Sequence, residues 1–381
     1  MDKVITVWHM NGVMDAGGTE SLIMNIFRYR TGRINHVLVV HSSNENQIGV
    51  YDEEINNLGI RILRLPSVGS VGEKRYTKKF CELVEKEGKP DIIHSHLNAV
   101  GGIIAKAAKK ADIEKRIIHC HADIKYRGSK VSIAISELKL AVMKILVNKY
   151  GTDFFACSEN AARRLFYNSD QVIVIKNVIS VEKYLCSREK YKEQRHKLGI
   201  DDNTILISAV GRIVRIKNYE VIIRAVSELI KLGVDVKFLC YGRVVDEQYF
   251  SELQSLCDSC KVKDYIFFMG NSTEIFNDIA ACDIFVMPSI TEGLGISALE
   301  AQAAGKCCLL STGVPKEADV GINLVKFLDP RNVTEWVQNM ESINEVAVEQ
   351  DAIKRAFIDK RYDASFEVKR IEDEYIKIVR K

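Results

Sequence analysis

The sequence predicts an α/β protein built from two doubly wound parallel sheets in series. Short apolar runs rich in Val, Ile and Phe alternate with longer helical stretches along the 381 residues. Near-continuous apolar runs are typical of strands buried on both faces, and the stretches between them are long enough for crossover helices. The runs form a first set of seven and a second set of six, which predicts two sheets with helices on both sides.

These runs also mark out two domains. In the first set, strands are expected at residues 4–8, 36–40, 60–65, 91–94, 116–119, 154–157 and 172–175. In the second set, they are expected at residues 204–210, 236–241, 265–269, 283–287, 306–311 and 324–327. We place an N-terminal Rossmann-like domain at 1–180 and a C-terminal one at 181–362. Residues 363–381 repeat apolar side chains at helical spacing and predict a terminal amphipathic helix.

Composition and charge exclude several classes of protein. The chain is 47% hydrophobic and 28% charged, which is ordinary for a globular protein and rules out disorder for its bulk. A formal net charge of +3 is too small to indicate a dedicated nucleic-acid binder. No apolar run reaches the ~18 residues of a membrane span, and the N-terminus lacks a secretory leader pattern. We therefore expect a cytoplasmic protein whose ten cysteines remain thiols.

The first candidate site is the glycine pair Gly17-Gly18, between the first predicted strand and a helix predicted to begin near Thr19. Paired glycines let a ligand approach the backbone closely, and a helix N-terminus offers unbonded N–H groups and a positive dipole end. Those features suit a phosphate. A tight turn capped by Thr19 explains the same residues without a ligand, so both interpretations stay open. The dinucleotide fingerprint Gly-x-Gly-x-x-Gly is absent.

The second candidate site follows the strand at 204–210. Gly211 is followed by three cations, Arg212, Arg215 and Lys217, just before a predicted helix. Open α/β sheets bind their ligands at the carboxyl ends of strands, so an anion such as a diphosphate is the expected partner. A solvated basic loop is the alternative interpretation.

The third candidate site combines two carboxylates with a glycine-rich turn. Glu292 and Glu300 flank the segment Gly293-Leu294-Gly295, which leads from the strand at 283–287 into a helix. Two acids eight residues apart are often unrelated surface groups. Glu300, however, lies among Leu and Ala, and a carboxylate in such surroundings needs a partner. Sugar hydroxyls would supply one.

Two histidine pairs follow neighbouring predicted strands. His94 and His96 end one strand, and His119 and His121 end the next. Residues two apart on a strand share a face, so either pair could contribute to a metal site. No third ligand is evident from the spacing. We therefore interpret these histidines as hydrogen-bonding or catalytic-environment groups and predict no metal.

The stretch 125–150 is basic and rich in apolar residues. It contains six lysines and arginines against the single acid Glu137. A basic, apolar-rich helix can lie on an anionic bilayer, which predicts peripheral membrane contact. An ordinary packed helix with a solvated basic face explains the composition equally well.

Taken together, these motifs resemble the retaining glycosyltransferases of family 4, over essentially the whole chain. That family has the GT-B fold, in which two Rossmann-like domains face a central cleft. Segments 51–59 and 93–96, with the early Gly-Gly-Thr-Glu, resemble EpsF-type enzymes, which build bacterial exopolysaccharide or capsule. The residues that carry the family resemblance are Gly17-Gly18-Thr19-Glu20, Gly211-Arg212, Lys217, Pro288-Ser289, Glu292, Gly293, Gly295 and Glu300.

The resemblance implies a role for each matching residue. Arg212 and Lys217 would hold the donor diphosphate, and Glu300 would bind the nucleotide ribose. Glu292 would meet the donor sugar and phosphate, and His121 would lie near the transferred sugar. The backbone positions implied in donor binding are Gly17, Gly18, Gly211, Gly270, Gly293, Leu294 and Gly295.

The resemblance also implies an activity. The enzyme would transfer a sugar, with retention, from UDP-hexose or UDP-N-acetylhexosamine to a lipid-linked oligosaccharide at the inner membrane face. GDP-mannose is an alternative donor. Two fixed cations would do the work of a metal, so no cofactor is expected, and the terminal helix would cross back onto the first domain. A nucleotide-sugar epimerase of the same fold and a non-catalytic sugar-nucleotide binder are the competing interpretations; no motif supports the pyridoxal lysine of a phosphorylase.

Overall fold

The chain forms two compact units. The computed structural model describes residues 4–15, 17–44, 46–121, 129–272, 274–342 and 348–381. Residues 1–178 and 364–381 make up the first unit, and residues 179–363 make up the second. The predicted boundaries at 180 and 362 lie within two residues of these junctions. The family resemblance implies that the N-terminal domain binds the acceptor and the C-terminal domain binds the nucleotide-sugar donor, and this assignment stays a prediction.

The first unit contains a seven-stranded parallel sheet. Its strands are β1 (Ile5–Asn11), β2 (Ile34–Ser42), β3 (Arg61–Pro66), β4 (Ile92–Ser95), β5 (Lys115–Cys120), β6 (Asp153–Ala156) and β7 (Ile173–Val174). They pair in the order β3-β2-β1-β4-β5-β6-β7. Its first helices are α1 (Gly18–Arg28), α2 (Asp52–Asn57), α3 (Val68–Val71), α4 (Glu73–Glu87), α5 (Gly101–Lys110), α6 (Lys130–Tyr150) and α7 (Glu159–Leu165).

The second unit contains a six-stranded parallel sheet. Its strands are β8 (Ile205–Val210), β9 (Val236–Tyr241), β10 (Ile266–Gly270), β11 (Ile284–Met287), β12 (Cys307–Ser311) and β13 (Val325–Leu328). They pair in the order β10-β9-β8-β11-β12-β13. The helices are α8 (Val181–Tyr184), α9 (Arg188–Lys197), α10 (Tyr219–Lys231), α11 (Glu247–Cys260), α12 (Ile275–Ala281), α13 (Ile296–Ala303), α14 (Val333–Glu341) and α15 (Gln350–Asp359).

The prediction of two doubly wound parallel sheets is confirmed, and each of the thirteen predicted strands is present. Successive side chains along a strand point to opposite faces of the sheet, so a continuous apolar run contributes to a core on each side. Val7 and Leu38 belong to the core that contains α1, whereas Trp8 and Val37 belong to the core that contains α4 and α5. Strand β1 continues to Asn11, three residues beyond its predicted end, and therefore includes a buried histidine.

The terminal helix α16 (Ala364–Arg380) belongs to the first unit, as expected. Its apolar stripe of Val368, Ile371, Tyr375 and Ile378 is fully buried in the same core as α1. Burial of such side chains contributes roughly 1.5–3 kcal/mol each, so the stripe anchors the helix to this sheet. None of the helices in the described part of the chain combines the length and the apolar character that a membrane crossing requires.

Close packing of α5 against α6 depends on a glycine. A Cβ on Gly102 would lie 2.7 Å from the backbone nitrogen of Val147 and 3.0 Å from the carbonyl carbon of Leu146. Both of those atoms belong to the α6 backbone, which has no flexible end to move aside. The two helices therefore approach each other at a point where only glycine fits.

We expect Gly102→Ala to destabilise the protein by about 1–3 kcal/mol, because the added methyl overpacks this contact. The measurement is the urea midpoint at constant m-value. The matched control is Gly69→Ala in α3, where a Cβ would meet no atom within 4 Å. It should be neutral or slightly stabilising, because alanine favours a helix. Equal midpoints for the two variants would contradict the packing argument.

Candidate functional site

The carboxyl edge of the second sheet is made of closely packed backbone. The Gly211 N–H donates to the carbonyl of Tyr241 (2.8 Å), and the Gly242 N–H donates to the carbonyl of Gly270 (2.7 Å). Gly242 has a φ of +147°, and a Cβ there would lie 2.0 Å from the Gly211 oxygen. This approach excludes every side chain at position 242. Predicted donor-binding Gly211 and Gly270 thus lie on one edge, on either side of the segment that contains Tyr241 and Gly242.

An ion pair joins the second and third candidate sites. Lys217 Nζ lies 2.5 Å from Glu292 Oε1, and Ser289 Oγ donates to the same oxygen at 2.7 Å. The side chains of Lys217 and Glu292 are only 16% and 15% exposed. A Cβ on Gly211 would meet Lys217 Cε at 3.1 Å, so this glycine leaves room for the ammonium stem. The structure therefore brings together Gly211, Lys217 and Glu292.

The three predicted cations do not form one cluster. Arg215 pairs with Glu252 of α11 at 2.7 Å and lies over the ring of Tyr249. Arg212 is exposed, directly beside Gly211. The expectation of a triple cation cluster is wrong for Arg215, because its guanidinium is held by Glu252 and Tyr249 of α11, whereas the partner of Lys217 is the predicted site residue Glu292. Arg212 and Lys217 remain at the sheet edge.

Glu300 lies on helix α13, one turn after its start, and has its own partner. Tyr184 of α8 donates to Glu300 Oε1 at 2.6 Å. Burial raises the pKa of Glu300, while the bond from Tyr184 and the charge of Lys183 oppose the rise. The partner that the sequence required for this carboxylate is therefore present within the protein. Its predicted role toward ribose stays a prediction.

The three residues of the glycine-rich turn before α13 have different surroundings. Gly295 caps the helix with a φ of +81°, and a Cβ there would lie 2.9 Å from Met287 Sδ. Leu294 packs against the apolar core of this unit. Gly293 is exposed, and a Cβ there would meet no described atom within 4 Å. The turn thus offers backbone rather than side chains to a ligand.

The glycine pair in the first unit differs from its prediction. Helix α1 begins at Gly18 and is capped by extended Gly17, with no side-chain cap, so the expected cap at Thr19 is wrong. Glu20 folds back over Gly17, where a Cβ would lie 2.3 Å from Glu20 Oε2. Asn11 Nδ2 donates to Glu20 Oε1 at 3.1 Å. Because that carboxylate is the flexible end of a side chain, a small shift would accommodate a Cβ, and this contact alone does not require the glycine.

The predicted histidine pairs belong to a larger buried cluster in the first unit. His94 and His119 face each other across β4 and β5, with Nε2 and Nδ1 3.2 Å apart. His96 Nδ1 lies 2.9 Å from His121 Nε2. Two further histidines that sequence analysis missed, His9 and His36, complete the cluster.

The cluster offers two groups of three imidazoles. His9, His94 and His96 form one group, and His96, His119 and His121 form the other, with ligand atoms within 4.8 Å of one another in each. Spacing alone did not reveal a third histidine; the pairing of β4 with β5 brings His119 and His121 to His96, and the pairing of β1 with β4 adds His9. Its position two residues after Val7, on the face that packs on α1, was the signal that sequence analysis overlooked.

Burial keeps the cluster uncharged. Desolvation lowers the pKa of His121 to about 3 and holds the pKa values of His94, His96 and His119 well below their usual range. Neighbouring imidazoles lower the pKa values of those three further, because two cations cannot be accommodated side by side without water. These side chains therefore act as neutral hydrogen-bonding groups near pH 7.

Residues 190–356 match the model of the family described as glycosyl transferases group 1. A putative glycosyltransferase, EpsF of Bacillus subtilis (strain 168), is 27% identical over 339 residues, which cover 88% of this chain and 86% of the relative. Over most of its length the chain is similar to EpsF, and residues 190–356 form a glycosyl transferases group 1 domain. This finding confirms the resemblance that its motifs indicate.

Other relatives agree with this assignment. The glycosyltransferase is 26% identical over 238 residues to the UDP-Gal:alpha-D-GlcNAc-diphosphoundecaprenol alpha-1,3-galactosyltransferase of Escherichia coli, covering 60% of this chain and 59% of the relative. The crystal structure of Anabaena Alr3699/HepE in complex with UDP superposes with a TM-score of 0.79 and 17% identity, covering 98% of this chain and 100% of that one. The expected GT-B fold is confirmed.

The buried histidines predict a steep loss of stability in mild acid. Seven imidazoles of the first unit have lowered pKa values, so below about pH 6.5 the unfolded state binds protons that the folded state does not. Each such group costs about 1.4 kcal/mol per pH unit, and the loss continues down to their folded pKa values. The seven are His9, His36, His41, His94, His96, His119 and His121.

The two tryptophans of the glycosyltransferase separate the units in this measurement. Trp8 is buried in β1 and Trp336 in α14, so Trp336→Phe leaves a reporter of the first unit and Trp8→Phe a reporter of the second. The urea midpoint reported by Trp8 should fall much more than that reported by Trp336 between about pH 7.5 and pH 5.5. A Trp8 midpoint that is independent of pH would contradict the neutral cluster.

Proposed function

We propose that the chain is a retaining hexosyltransferase of family 4 that takes a sugar from UDP-hexose or UDP-N-acetylhexosamine. Its acceptor is a growing lipid-linked oligosaccharide in exopolysaccharide or capsule biosynthesis. The observation that carries the proposal is the half-buried pair of Lys217 and Glu292, placed beside Gly211 and the exposed Arg212 at the carboxyl edge of a parallel sheet. This is where open α/β sheets bind nucleotides.

The charges at this edge suit a departing diphosphate. Breaking the bond between sugar and nucleotide develops negative charge on the leaving diphosphate, and fixed cations stabilise that charge. Lys217 is held in place by Glu292, whereas Arg212 is exposed and able to reach an incoming anion. Glu292 is anchored through Oε1 by Lys217 and Ser289, which supports its proposed role toward the donor sugar. Two such cations supply the charge that a divalent metal supplies elsewhere, so we propose a metal-independent reaction.

The substrate named for a relative supports the proposed acceptor. The Escherichia coli relative acts on a diphosphoundecaprenol-linked sugar, as its name states. Acceptors of this kind are anchored in a bilayer, so an enzyme that uses them must work at the membrane surface. We therefore place the protein on the cytoplasmic side, in peripheral contact with the inner face of the cell membrane.

Lys217→Ala and Arg212→Ala should each lower the transfer rate by at least about 10²-fold, which corresponds to ~3 kcal/mol of lost charge stabilisation. Transfer is measured from radiolabelled UDP-glucose, UDP-galactose and their N-acetylhexosamine counterparts to a diphosphoundecaprenol-linked sugar. UDP affinity, measured by calorimetry, should fall in parallel. The configuration at the anomeric carbon of the product, read by NMR, should match that of the donor.

The matched control is Arg215→Ala. This arginine lies two residues before Lys217 but is paired with Glu252, so its loss should leave transfer and UDP affinity close to wild type. Near-normal transfer by the Lys217 or Arg212 variant would remove that residue from the site. An epimerised nucleotide sugar formed without acceptor would favour the epimerase, and tight UDP binding without turnover would favour the non-catalytic binder.

Membrane contact is supported by an exposed apolar stripe on α6. The stripe repeats at intervals of four and three residues, so it lies along one face of the helix. Lys130, Lys139 and Lys149 are exposed on the same helix, and the single acid Glu137 is paired with Arg164. Lys125 and Arg127 lie outside the described residues. The stripe consists of Val131, Ile135, Leu138, Val142 and Ile145, each at least half exposed.

A basic helix with an exposed apolar face fits an anionic bilayer, since the side chains enter the interface while the lysines meet lipid charge. Leu138→Glu should therefore abolish co-sedimentation of the protein with vesicles of phosphatidylcholine and phosphatidylglycerol at low salt. Leu232→Glu, at an exposed leucine of the second unit, is the control and should bind like wild type. Equal binding to pure phosphatidylcholine would argue against electrostatic docking. A change in oligomeric state without a change in vesicle binding would instead assign the stripe to a second copy of the chain.

A further inference from the structure

A continuous line of hydrogen bonds runs from a buried carboxylate to His121. Glu372 of α16 is fully buried, and its Oε1 lies 3.4 Å from His36 Nε2. His36 Nδ1 lies 2.9 Å from His9 Nε2, and His9 Nδ1 lies 3.1 Å from His96 Nε2. His96 Nδ1 then meets His121 Nε2 at 2.9 Å. All five residues belong to the first unit.

The direction of this line is set at one end. A neutral imidazole has one N–H donor and one bare nitrogen, so each ring in a chain must donate on one side and accept on the other. An ionised carboxylate only accepts. Burial raises the pKa of Glu372, but hydrogen bonds from His36 and from Thr31 bring it below its ordinary value. Glu372 is therefore ionised near pH 7, and His36 must donate to it through Nε2.

The same constraint passes from ring to ring. Because His36 donates through Nε2, its Nδ1 is bare and receives the Nε2 proton of His9. His9 then accepts from His96 through Nδ1, and His96 accepts from His121. Every ring therefore carries its proton on Nε2. The far end of the line is His121 Nδ1, a buried nitrogen that has no hydrogen-bond partner among the described residues.

We propose that Glu372, acting through His36, His9 and His96, holds His121 in the Nε2-protonated tautomer and so keeps its Nδ1 bare, able to accept a hydrogen bond from a substrate hydroxyl that reaches it. The proposal rests on the proposed function for the position of substrate, since His121 matches the family histidine near the transferred sugar. Nδ1 accepts a hydrogen bond there, and no proton is transferred. Glu372 and the three intervening histidines are positioning residues, and the bare nitrogen selects a donor hydroxyl over an anionic oxygen.

The opposite tautomer of every imidazole in the line would be unfavourable at Glu372. With every proton on Nδ1, His36 would turn a lone pair toward the charge of Glu372. A buried carboxylate that loses a donor is strongly destabilised, because no water replaces the lost hydrogen bond. Thr31 still donates to Glu372 through its N–H (3.0 Å) and its hydroxyl, but neither bond reaches His36. The carboxylate therefore favours one direction along the whole line.

A metal ion would require a different arrangement of the same rings. Ligand lone pairs converge on one point at a metal, whereas here the nitrogens face one another in pairs at hydrogen-bond distance and angle. Zinc that took either of the nitrogens joining His96 to His121 would interrupt the line of hydrogen bonds.

A second branch of the cluster supplies a matched control. Tyr375, one turn after Glu372 on α16, meets His94 Nδ1 at 2.6 Å, and His94 leads to His119. A tyrosine hydroxyl both donates and accepts, so it imposes no direction on its imidazoles. Removing this hydroxyl should leave His121 unchanged, although it disturbs the same buried layer.

The test is nitrogen NMR of the full-length protein labelled with ¹⁵N-histidine, in which His121 is assigned by the signals lost in His121→Gln. In the wild type, His121 should show a protonated, pyrrole-type Nε2 and a bare, pyridine-type Nδ1. Glu372→Leu should shift this population toward the Nδ1-protonated tautomer. Tyr375→Phe should not, and Glu372→Gln should retain the wild-type tautomer, because its amide oxygen still accepts from His36.

Three results would overturn the proposal. They are a wild-type His121 protonated on Nδ1, a tautomer that does not respond to Glu372→Leu, and stoichiometric zinc bound to the histidines of the purified protein. The wild-type spectrum alone shows which nitrogen of His121 is protonated, even if Glu372→Leu does not fold. Because this measurement involves no sugar transfer, it tests the line of hydrogen bonds independently of the glycosyltransferase assignment.

Discussion

Parallel pairing brings the carboxyl ends of all strands in a sheet to one edge, and both candidate sites depend on that constraint. In the second unit it places the segments after β8 and β11, which are adjacent strands, side by side. Lys217 and Glu292 meet for that reason although 75 residues separate them. In the first unit it places the ends of β4 and β5 side by side, so that His94 meets His119 and His96 meets His121 although the register pairs His94 with Ile117.

Buried polar side chains are stabilised in different ways at the two sites. In the second unit, opposite charges lie together at a partly exposed edge, where an ammonium and a carboxylate stabilise each other. In the first unit, six imidazoles lie in an apolar layer and stay neutral, so each requires a hydrogen bond rather than a counter-ion. The carboxylate of Glu372 is the only acid bonded to that line among the described residues. A single charge therefore determines the protonation pattern of several neutral rings.

Features that local sequence determines could be predicted, whereas contacts between residues far apart in the chain could not. The strands were predictable because doubly buried strands leave continuous apolar runs, and so were Gly211, Lys217 and Glu292, because they follow such strands directly. The partners that complete the histidine cluster were not. Alternation along β1 puts His9 on the same face as Val7, but only the strand order, with β1 between β2 and β4, brings it to His36 and His96. Glu372 is 336 residues from His36, and its helix reads only as amphipathic.

The two units offer different kinds of polar group. In the second unit, the exposed Arg212 and the paired Lys217 are fixed cations, which suit an anion. In the first unit, His121 is a neutral imidazole whose Nδ1 has no partner among the described residues, which suits a neutral hydrogen-bond donor. A charged imidazole at that position would attract an anion instead, and burial prevents that charge.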